Sequence, residues 1–479
     1  MAELSFFWHD YETFGREPRR HRPAQFAGVR TDAELREIEA PQVWWCQPPD
    51  DALPEPEACL LTGIVPQDCL ARGVPEHTFA ANIESQLARP GTIGVGYNSI
   101  RFDDEVTRFL FWRCLIDPYA REWQHQCGRW DLLDVLRCAW ALRPEGIEWP
   151  LHDDGRPSFK LEHLTRANGI EHDGAHEALS DVRATLAMAR LLKARQPRLW
   201  DFCLRLRHKD AVRDEIAQAQ SRGQPLLHIS GMYGTERGCT ALVWPLAPHP
   251  KNRNELIVWD LAHDPGVLLT LDATEVRQRL FSKSEALPAG VERLPIKTIH
   301  LNKSPVVIAN LRTLQPQRAI QFGLDMAQAL RHAETAARDA GALAGLWPEV
   351  VARPAREGPI DVDEDLYGGF LGPHDRRICQ QLLALSPQAL ADKRPAFEDP
   401  RLDELLFRYR ARNFRDTLQP QELEQWRQHV AGRLLHGAGG QSPLSAYEEQ
   451  LRLLGSGAEV RERKILDALS SWGRSLGPG

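Results

Sequence analysis

Two kinds of hydrophobic pattern predict an α/β arrangement in the first 196 residues. Short apolar runs typical of buried strands alternate there with stretches that repeat apolar residues at helical spacing. We predict strands at 4–9, 26–31, 42–46 and 92–97, and helices at 77–89, 103–116, 131–142 and 177–195. Strands that alternate with helices in this way are typical of a layered α/β domain.

The pattern changes after Pro197. A polar connector at 198–221 has a helical pattern and precedes short β-type runs at 226–230, 240–246, 255–261 and 295–309. Gly, Pro and Asn separate these runs, as in a small barrel or sandwich. From residue 313 the chain becomes rich in Ala, Leu and Arg, with a Pro-rich interruption at 347–360. We therefore predict three domains: an α/β domain at 1–196, a β-rich domain at 197–350 and a helical domain at 355–479.

The composition indicates a globular cytoplasmic protein. Apolar residues make up 42% and charged residues 26% of the 479 positions, and no apolar run reaches the length of a membrane helix. The nine cysteines have no C-x-x-C spacing, which argues against disulfides and a structural zinc site. A net charge of −7 disfavours a simple nucleic-acid-binding protein, although a local basic groove is compatible with it.

A pair of acidic residues follows the first apolar strand. Asp10 and Glu12 come directly after Phe6, Phe7 and Trp8. Residues two apart on a strand share one face, so both carboxylates would emerge side by side. Burying them is costly unless they bind a cation. An edge strand with both acids in water is the alternative.

Two further acidic stretches lie at predicted helix starts. Asp103, with Asp104 beside it, follows the strand at 92–97, and Asp181 opens the helix at 177–195, five residues after His176. Each stretch also has a simpler interpretation, because acids near a helix N-terminus are favoured by its dipole and a lone histidine is commonly solvated.

Taken together, the three stretches indicate a metal-dependent hydrolase. Four carboxylates around one point, from Asp10, Glu12, Asp103 and Asp181, would repel one another without cations. Two divalent ions relieve that repulsion and stabilise both oxygens of a phosphoryl displacement. Oxygen ligands suit Mg²⁺ or Mn²⁺ rather than zinc, and a neutral His176 can accept a proton from water. The set therefore predicts phosphodiester hydrolysis.

The same stretches resemble the DEDDh group of 3′→5′ exonucleases, and within it bacterial exonuclease I. The similarity covers nearly the whole chain and is carried by HDYETFG (9–15), RPAQFAGVRTD (22–32), GYNSIRFDDEVTR (96–108), RWDLLDVLRCAWALRPEGIEWP (129–150), LEHLTRANGIEH (161–172), SGMYG (230–234), HPKNRN (249–254), HLNKSP (300–305) and LLFRYRARNF (405–414). The resemblance implies a ribonuclease H-like exonuclease domain, an SH3-like β-rich domain and a helical C-terminal domain.

The resemblance also implies an activity and its residues. It assigns Asp10, Glu12, Asp103 and Asp181 to two Mg²⁺ ions, with Mn²⁺ as a substitute, and His176 as general base. Glu12 would also touch the terminal nucleotide. The implied activity is processive 3′→5′ degradation of single-stranded DNA to 5′-mononucleotides in recombination and repair.

Aromatic and basic residues provide candidate DNA contacts, because single strands are held by base stacking and by cations on phosphates. The resemblance places at such positions Arg108, Tyr119, Trp123, Arg137, Phe159 and Lys160, to which we add Asn302 and Lys303 as a phosphate loop. Lys160 stands where the family commonly has Arg, so it keeps the charge but not the bidentate fork. The residues at 407–415 carry four arginines between aromatics, which indicates another DNA-facing segment or a solvated helix face.

The resemblance further implies a monomer that closes a clamp of its domains around single-stranded DNA, without membrane attachment. It implies a protein partner, the acidic C-terminal tail of single-stranded DNA-binding protein, on a basic pocket that the sequence leaves unassigned. Two other functions remain open at this point. An RNA-trimming enzyme of the same fold would share the acidic residues, and a non-catalytic DNA-binding scaffold would share the fold.

Overall fold

The computed structural model describes residues 3–172, 177–352, 358, 360–436 and 442–476. The chain divides into two compact units. The first comprises residues 1–128, 172–186 and 358–479, and the second comprises residues 129–171 and 187–357. Within the described residues, no helix is both long enough and apolar enough to cross a membrane.

The first sheet has five strands in the order β3-β2-β1-β4-β5: β1 Ser5–Thr13, β2 Pro23–Thr31, β3 Gln42–Trp45, β4 Thr92–Gly96 and β5 Gly128–Asp131. Strand β1 is central, antiparallel to β2 and parallel to β4. Its residues Phe6, Phe7 and Trp8 are at most 1% exposed. This buried apolar run fixes the strand that carries the first two acids.

The described residues form twenty α-helices. They are α1 Pro56–Thr62, α2 Pro66–Arg72, α3 Glu76–Leu87, α4 Asp103–Arg113, α5 Leu132–Leu142, α6 Leu161–Ala167, α7 Ala178–Arg195, α8 Pro197–Arg205, α9 Lys209–Ser221, α10 Ala273–Phe281, α11 Pro316–Gln321, α12 Met326–Arg338, α13 Ala340–Gly345, α14 Trp347–Val350, α15 Pro373–Leu383, α16 Pro387–Ala391, α17 Arg401–Asn413, α18 Pro420–Leu435, α19 Pro443–Gly455 and α20 Val460–Leu476.

One hydrophobic core joins the first sheet to helices from the C-terminal part of the chain. Phe7 and Phe26 from the sheet and Phe109 from α4 belong to the same buried cluster as Leu402 and Tyr409 from α17. Each of these side chains is at most 5% exposed. The C-terminal helices of the first unit are therefore part of the core around the sheet.

The second unit contains an antiparallel sheet of five strands in the order β10-β6-β7-β8-β9: β6 Leu226–Ile229, β7 Thr240–Pro248, β8 Glu255–Asp260, β9 Ile296–His300 and β10 Val306–Ile308. Its core combines Leu226, Val243 and Val258 from the sheet with Val212 and Ile216 from α9. Sequence periodicity had indicated such a small β-rich domain, and the structure confirms it.

The structure differs from the sequence prediction at several boundaries. Strand β1 continues to Thr13, four residues past the predicted end, because the acids after Trp8 still pair with β2. The run predicted at 295–309 is two strands joined by a turn in which Ser304 has a φ of 47°. Residues just before the predicted helix at 131–142, including Trp130, form the unpredicted strand β5. The seven-residue helices α1, α2 and α6 were missed because they are too short for a hydrophobic repeat to show.

Candidate active site

Three of the four predicted carboxylates converge in the first unit. Asp10 and Glu12 project from β1 opposite Ala27 and Gln25 of β2, and Asp181 lies in the first turn of α7. Asp10, Glu12 and Asp181 each offer an oxygen, and these oxygens lie within 4.8 Å of one another. Residues from the central strand and a helix start therefore meet at one point, as the sequence predicted.

The cluster is electrostatically unfavourable without a counterion. Removal from water raises the pKa of Asp10 well above its usual range, and the charges of Asp103, Glu12 and Asp181 raise it further. Burial and the charges of Asp181 and Asp103 raise the pKa of Glu12 to about 9. Carboxylates in this state take up protons or divalent cations. An all-oxygen donor set fits Mg²⁺ or Mn²⁺.

Asp103 lies beside the three carboxylates but is not among the oxygens that converge. It is 2% exposed at the first residue of α4, and its Oδ1 accepts a hydrogen bond of 3.0 Å from the backbone N–H of Tyr11. The neighbouring Asp104 instead accepts a hydrogen bond of 2.6 Å from Arg121. The structure thus separates the two adjacent acids, with Asp103 on the side of the cluster.

The predicted general base lies outside the described residues, which leave out positions 173–176. The assignment of His176 therefore stays a prediction. On one side of this gap, His172 Nε2 lies 2.5 Å from Asp181 Oδ1. On the other side, the N–H of Ala178 donates to Gln25 Oε1 over 3.2 Å. The sequence offers no reason to assign a role to His172 or Gln25, because neither contact joins residues at a spacing typical of a single strand or helix.

In the first unit, the candidate DNA contacts differ in exposure. Trp123 is 66% exposed. Arg108 is only 5% exposed, and its guanidinium donates to Glu122 and Glu105 and lies 5.3 Å from the ring centre of Tyr119. Trp123 therefore presents a free aromatic face, whereas Arg108 supports Tyr119.

Two aromatic residues that sequence reasoning missed extend this surface. The Phe370 ring is 82% exposed and lies 5.4 Å from the Tyr119 ring. Tyr367 is 51% exposed, and its hydroxyl lies 3.1 Å from Nη1 of Arg108. Both belong to the Tyr-Gly-Gly-Phe stretch at 367–370, where aromatics without helical or strand spacing could have indicated a surface function.

The remaining candidate contacts lie in the second unit. Arg137 bonds to Asp134 over 2.6 Å and lies 5.8 Å from the ring centre of Phe159. The side chain of Lys160 is 68% exposed. The backbone oxygen of Asn302, the residue before Lys303, accepts a hydrogen bond of 3.1 Å from Arg129. The DNA-binding roles of Arg137, Phe159, Lys160, Asn302 and Lys303 stay predictions.

The arginine-rich segment at 407–415 is not a DNA-facing surface, and that interpretation is wrong. The side chains of three of its arginines are at most 9% exposed, and all four pair with carboxylates: Arg408 with Glu404 and Asp361, Arg410 with Glu422, Arg412 with Asp51 and Asp363, and Arg415 with Asp50. Most of these acids lie outside the local sequence. From the sequence alone, the arginines of this segment therefore looked unpaired.

Comparison with known proteins identifies the family. Three family models match the chain: Exonuclease at residues 7–189, Exonuclease I SH3-like domain at 207–352 and Exonuclease I C-terminal domain at 360–476. The chain is 47% identical over 431 residues to exodeoxyribonuclease I of Escherichia coli strain K12, an alignment that covers 89% of each protein. The chain belongs to the exodeoxyribonuclease I family.

Solved structures of exodeoxyribonuclease I proteins share the whole fold. Exonuclease I from Methylocaldum szegediense matches with a TM-score of 0.92 at 46% identity over 99% of each chain. A zinc-bound complex of E. coli exonuclease I with single-stranded DNA matches with a TM-score of 0.92 at 42% identity, over 99% of this chain and 100% of that one. A structure of E. coli exonuclease I with SSB and the inhibitor CFAM matches with a TM-score of 0.90, also at 42% identity and over the same shares.

Membership of the exodeoxyribonuclease I family confirms two predictions from the sequence. The fold consists of a ribonuclease H-like exonuclease domain, an SH3-like domain and a helical C-terminal domain. The protein is an exonuclease and therefore a hydrolase.

Proposed function

We propose that this exonuclease degrades single-stranded DNA processively from the 3′ end to 5′-mononucleotides, in recombination and repair. The observation that carries the proposal is the convergence of Asp10, Glu12 and Asp181 within 4.8 Å. The single-stranded DNA bound to the E. coli relative supports the substrate. Among the alternatives, an RNA-trimming enzyme and a scaffold have less support, because the relatives are named as exodeoxyribonucleases and the acidic cluster is intact.

The acidic residues would hold two divalent ions, which we propose to be Mg²⁺ with Mn²⁺ as a substitute. Such ions, when bound, stabilise the attacking and leaving oxygens of a phosphoryl displacement. Asp10, Glu12 and Asp181 would supply ligand oxygens, and Asp103 would complete the set from the start of α4. His176 would accept the proton of the attacking water, and Glu12 would also contact the terminal nucleotide.

Aromatic faces and cations would hold the DNA strand without reading its sequence. Trp123, Tyr119 and Phe370 provide aromatic faces in the first unit. Base stacking on such faces contributes about 1–3 kcal/mol per base and tolerates every base. In the second unit, exposed Lys160 would contact a phosphate as a single charge.

The first test follows the shortening of single-stranded DNA labelled at its 5′ end, with Mg²⁺ and with EDTA. We expect stepwise shortening that EDTA abolishes. Duplex DNA and single-stranded RNA of the same sequence serve as comparisons. Equal loss of RNA would favour the RNA-trimming alternative, and tight DNA binding without shortening would refute catalysis.

The general base can be tested separately by His176→Ala. We expect turnover to fall by about 10²–10⁴, the usual contribution of a positioned base, while DNA affinity stays near that of the unchanged protein. Binding of a labelled oligonucleotide in the presence of Ca²⁺ measures the affinity. A parallel loss of affinity and turnover would contradict the assigned role.

We also propose that the acidic tail of single-stranded DNA-binding protein binds in the second unit. A pocket of about 450 Å³ there combines an apolar lining, which includes Leu142, Phe202 and Ile308, with Arg143 and the exposed Arg198. Its arginines fit an acidic tail, and its apolar lining can accept an apolar side chain from that tail. The SSB present with the E. coli relative supports such a partner.

Charge reversal tests this pocket. Arg198→Glu should weaken binding of a fluorescent peptide with the SSB tail sequence at least tenfold, because it replaces attraction by repulsion. Arg222→Glu, an exposed arginine of the same unit outside the pocket, is the matched control. Equal binding by both variants would exclude this pocket as the tail site.

A further inference from the structure

One histidine outside the predicted ligand set contacts a predicted metal ligand directly. His172 Nε2 lies 2.5 Å from Asp181 Oδ1, and the two side chains are 7% and 19% exposed. A carboxylate oxygen accepts hydrogen bonds, so the hydrogen of this contact belongs to His172. The contact therefore directs a buried N–H at the carboxylate of the helix start.

This contact is compatible with metal binding by Asp181. An oxygen of the same carboxylate lies within 4.8 Å of oxygens from Asp10 and Glu12. The carboxylate keeps its second oxygen, and further lone pairs, for an ion. The histidine and a cation can therefore bind Asp181 at the same time.

The position of Asp181 needs such support. Asp181 lies one turn or less from the start of α7, and the charges of Asp10 and Glu12 repel it. The backbone of this turn is attached to β2 through the bond from Ala178 N–H to Gln25 Oε1. That bond fixes the helix start but leaves the carboxylate free to rotate about its own side-chain bonds. A donor on the carboxylate itself removes that freedom.

We propose that His172 is a positioning residue that orients the Asp181 carboxylate for divalent metal. The inference rests on the proposed function, since it needs Asp181 to be a metal ligand. Groups that hydrogen-bond to metal ligands commonly change metal affinity by 10–100-fold when they are replaced. His172 would act through Asp181 and would not touch the substrate.

Two substitutions of His172 distinguish loss of the hydrogen bond to Asp181 from a general loss of structure. His172→Gln can present an amide N–H where Nε2 stands, whereas His172→Asn is polar but too short to reach Asp181. We expect the Asn variant to bind Mn²⁺ 10–100-fold more weakly and the Gln variant to recover most of the affinity. His263→Asn, at an exposed histidine of the second unit, is the control.

Mn²⁺ binding is measured on the metal-free full-length chain by the electron paramagnetic resonance signal of unbound Mn²⁺. Unfolding temperature in EDTA is recorded for each variant, so that a folding defect is recognised. At saturating Mn²⁺, exonuclease activity of the Asn variant should return towards that of the unchanged chain, because only occupancy was lost.

The possible outcomes of the Mn²⁺ experiments distinguish failure of the His172 role from failure of the proposed function. Absence of Mn²⁺ binding by the unchanged chain would refute the proposed function. If the unchanged chain and the Asn variant bind Mn²⁺ equally, the role of His172 is refuted and the proposed function stands. Normal Mn²⁺ affinity with turnover lost at saturating metal would also overturn the positioning role, since His172 would then act on the reaction itself. Equal loss of affinity in the Asn and Gln variants would do the same.

Discussion

The Glu12→Gln substitution removes one charge from the acidic cluster and nearly preserves the shape of the side chain. In the folded chain without metal, burial and the charges of Asp181 and Asp103 raise the pKa of Glu12 to about 9 from its ordinary 4.5. The folded state therefore holds a proton that the unfolded state releases between these pH values. This difference destabilises the folded state as the pH rises.

The magnitude follows from the size of the shift. Each unit between the pH and the ordinary pKa costs about 1.4 kcal/mol, so at pH 7 the penalty is about 3 kcal/mol. It is absent below about pH 4.5 and stops growing above about pH 9. Glutamine avoids this penalty but keeps a buried polar group, so we expect the substitution to stabilise the metal-free chain by about 1–3 kcal/mol at pH 7. That corresponds to a rise of about 2–12 °C in unfolding temperature for domains of this size.

Thermal unfolding in EDTA at pH 5, 7 and 8.5 measures this effect, and the gain should increase with pH. Added Mg²⁺ should raise the unfolding temperature of the unchanged chain more than that of the variant, and the variant should lose most nuclease activity. A Glu12→Gln chain that is no more stable than the unchanged chain in EDTA at pH 8.5 would refute the electrostatic reasoning.

Three other predictions concern the ion pairs and the DNA surface. Asp363→Asn should lower the free energy of unfolding by about 3–5 kcal/mol in urea titrations, because it removes the carboxylate that pairs with buried Arg22 and one of the two that pair with buried Arg412. The neighbouring Glu364→Gln should cost at most about 1 kcal/mol, because the ion-pair partner of Glu364 is the exposed Arg20. Trp123→Ala should weaken binding of single-stranded DNA by about 1–3 kcal/mol in fluorescence anisotropy, with an unchanged salt dependence. Lys160→Ala should instead reduce the slope of log affinity against log salt by about 0.7, and an unchanged slope would exclude a phosphate contact.

The acidic cluster was predictable because its residues carry a local signal. Asp10 and Glu12 follow a buried strand at a spacing of two, and Asp181 opens a helix with a clear apolar repeat. Strand geometry and helix starts therefore placed these three acids correctly. The contact of His172 with Asp181 carries no such signal, because the two residues are nine apart in the sequence and only the tertiary fold brings them together.

The prediction that the arginine-rich segment at 407–415 faces DNA was wrong for the opposite reason. The sequence at 407–415 contains a strong local excess of positive charge, and local reasoning assigned it to DNA. The neutralising acids come from positions such as Asp51 and Asp363, which are far away in the chain. Charge balance is a property of the folded molecule, so a local count cannot decide whether an arginine is available to a ligand.

The buried ion pairs also determine where the polypeptide can be cut. Asp51 is 0% exposed as a side chain and accepts hydrogen bonds from Arg412, an α17 residue, while Asp363 binds Arg22 of the N-terminal segment. Burial would raise the pKa of Asp51, but Arg412 and its neighbours hold it well below its usual range. A fragment that ends at residue 196 would keep Asp51 and Arg22 and lose both partners, together with the apolar surface that α17 covers. We therefore expect that residues 1–196 do not fold as a separate protein. The C-terminal helices are needed to complete the core and the ion pairs of this segment, in addition to any part they have in binding the substrate.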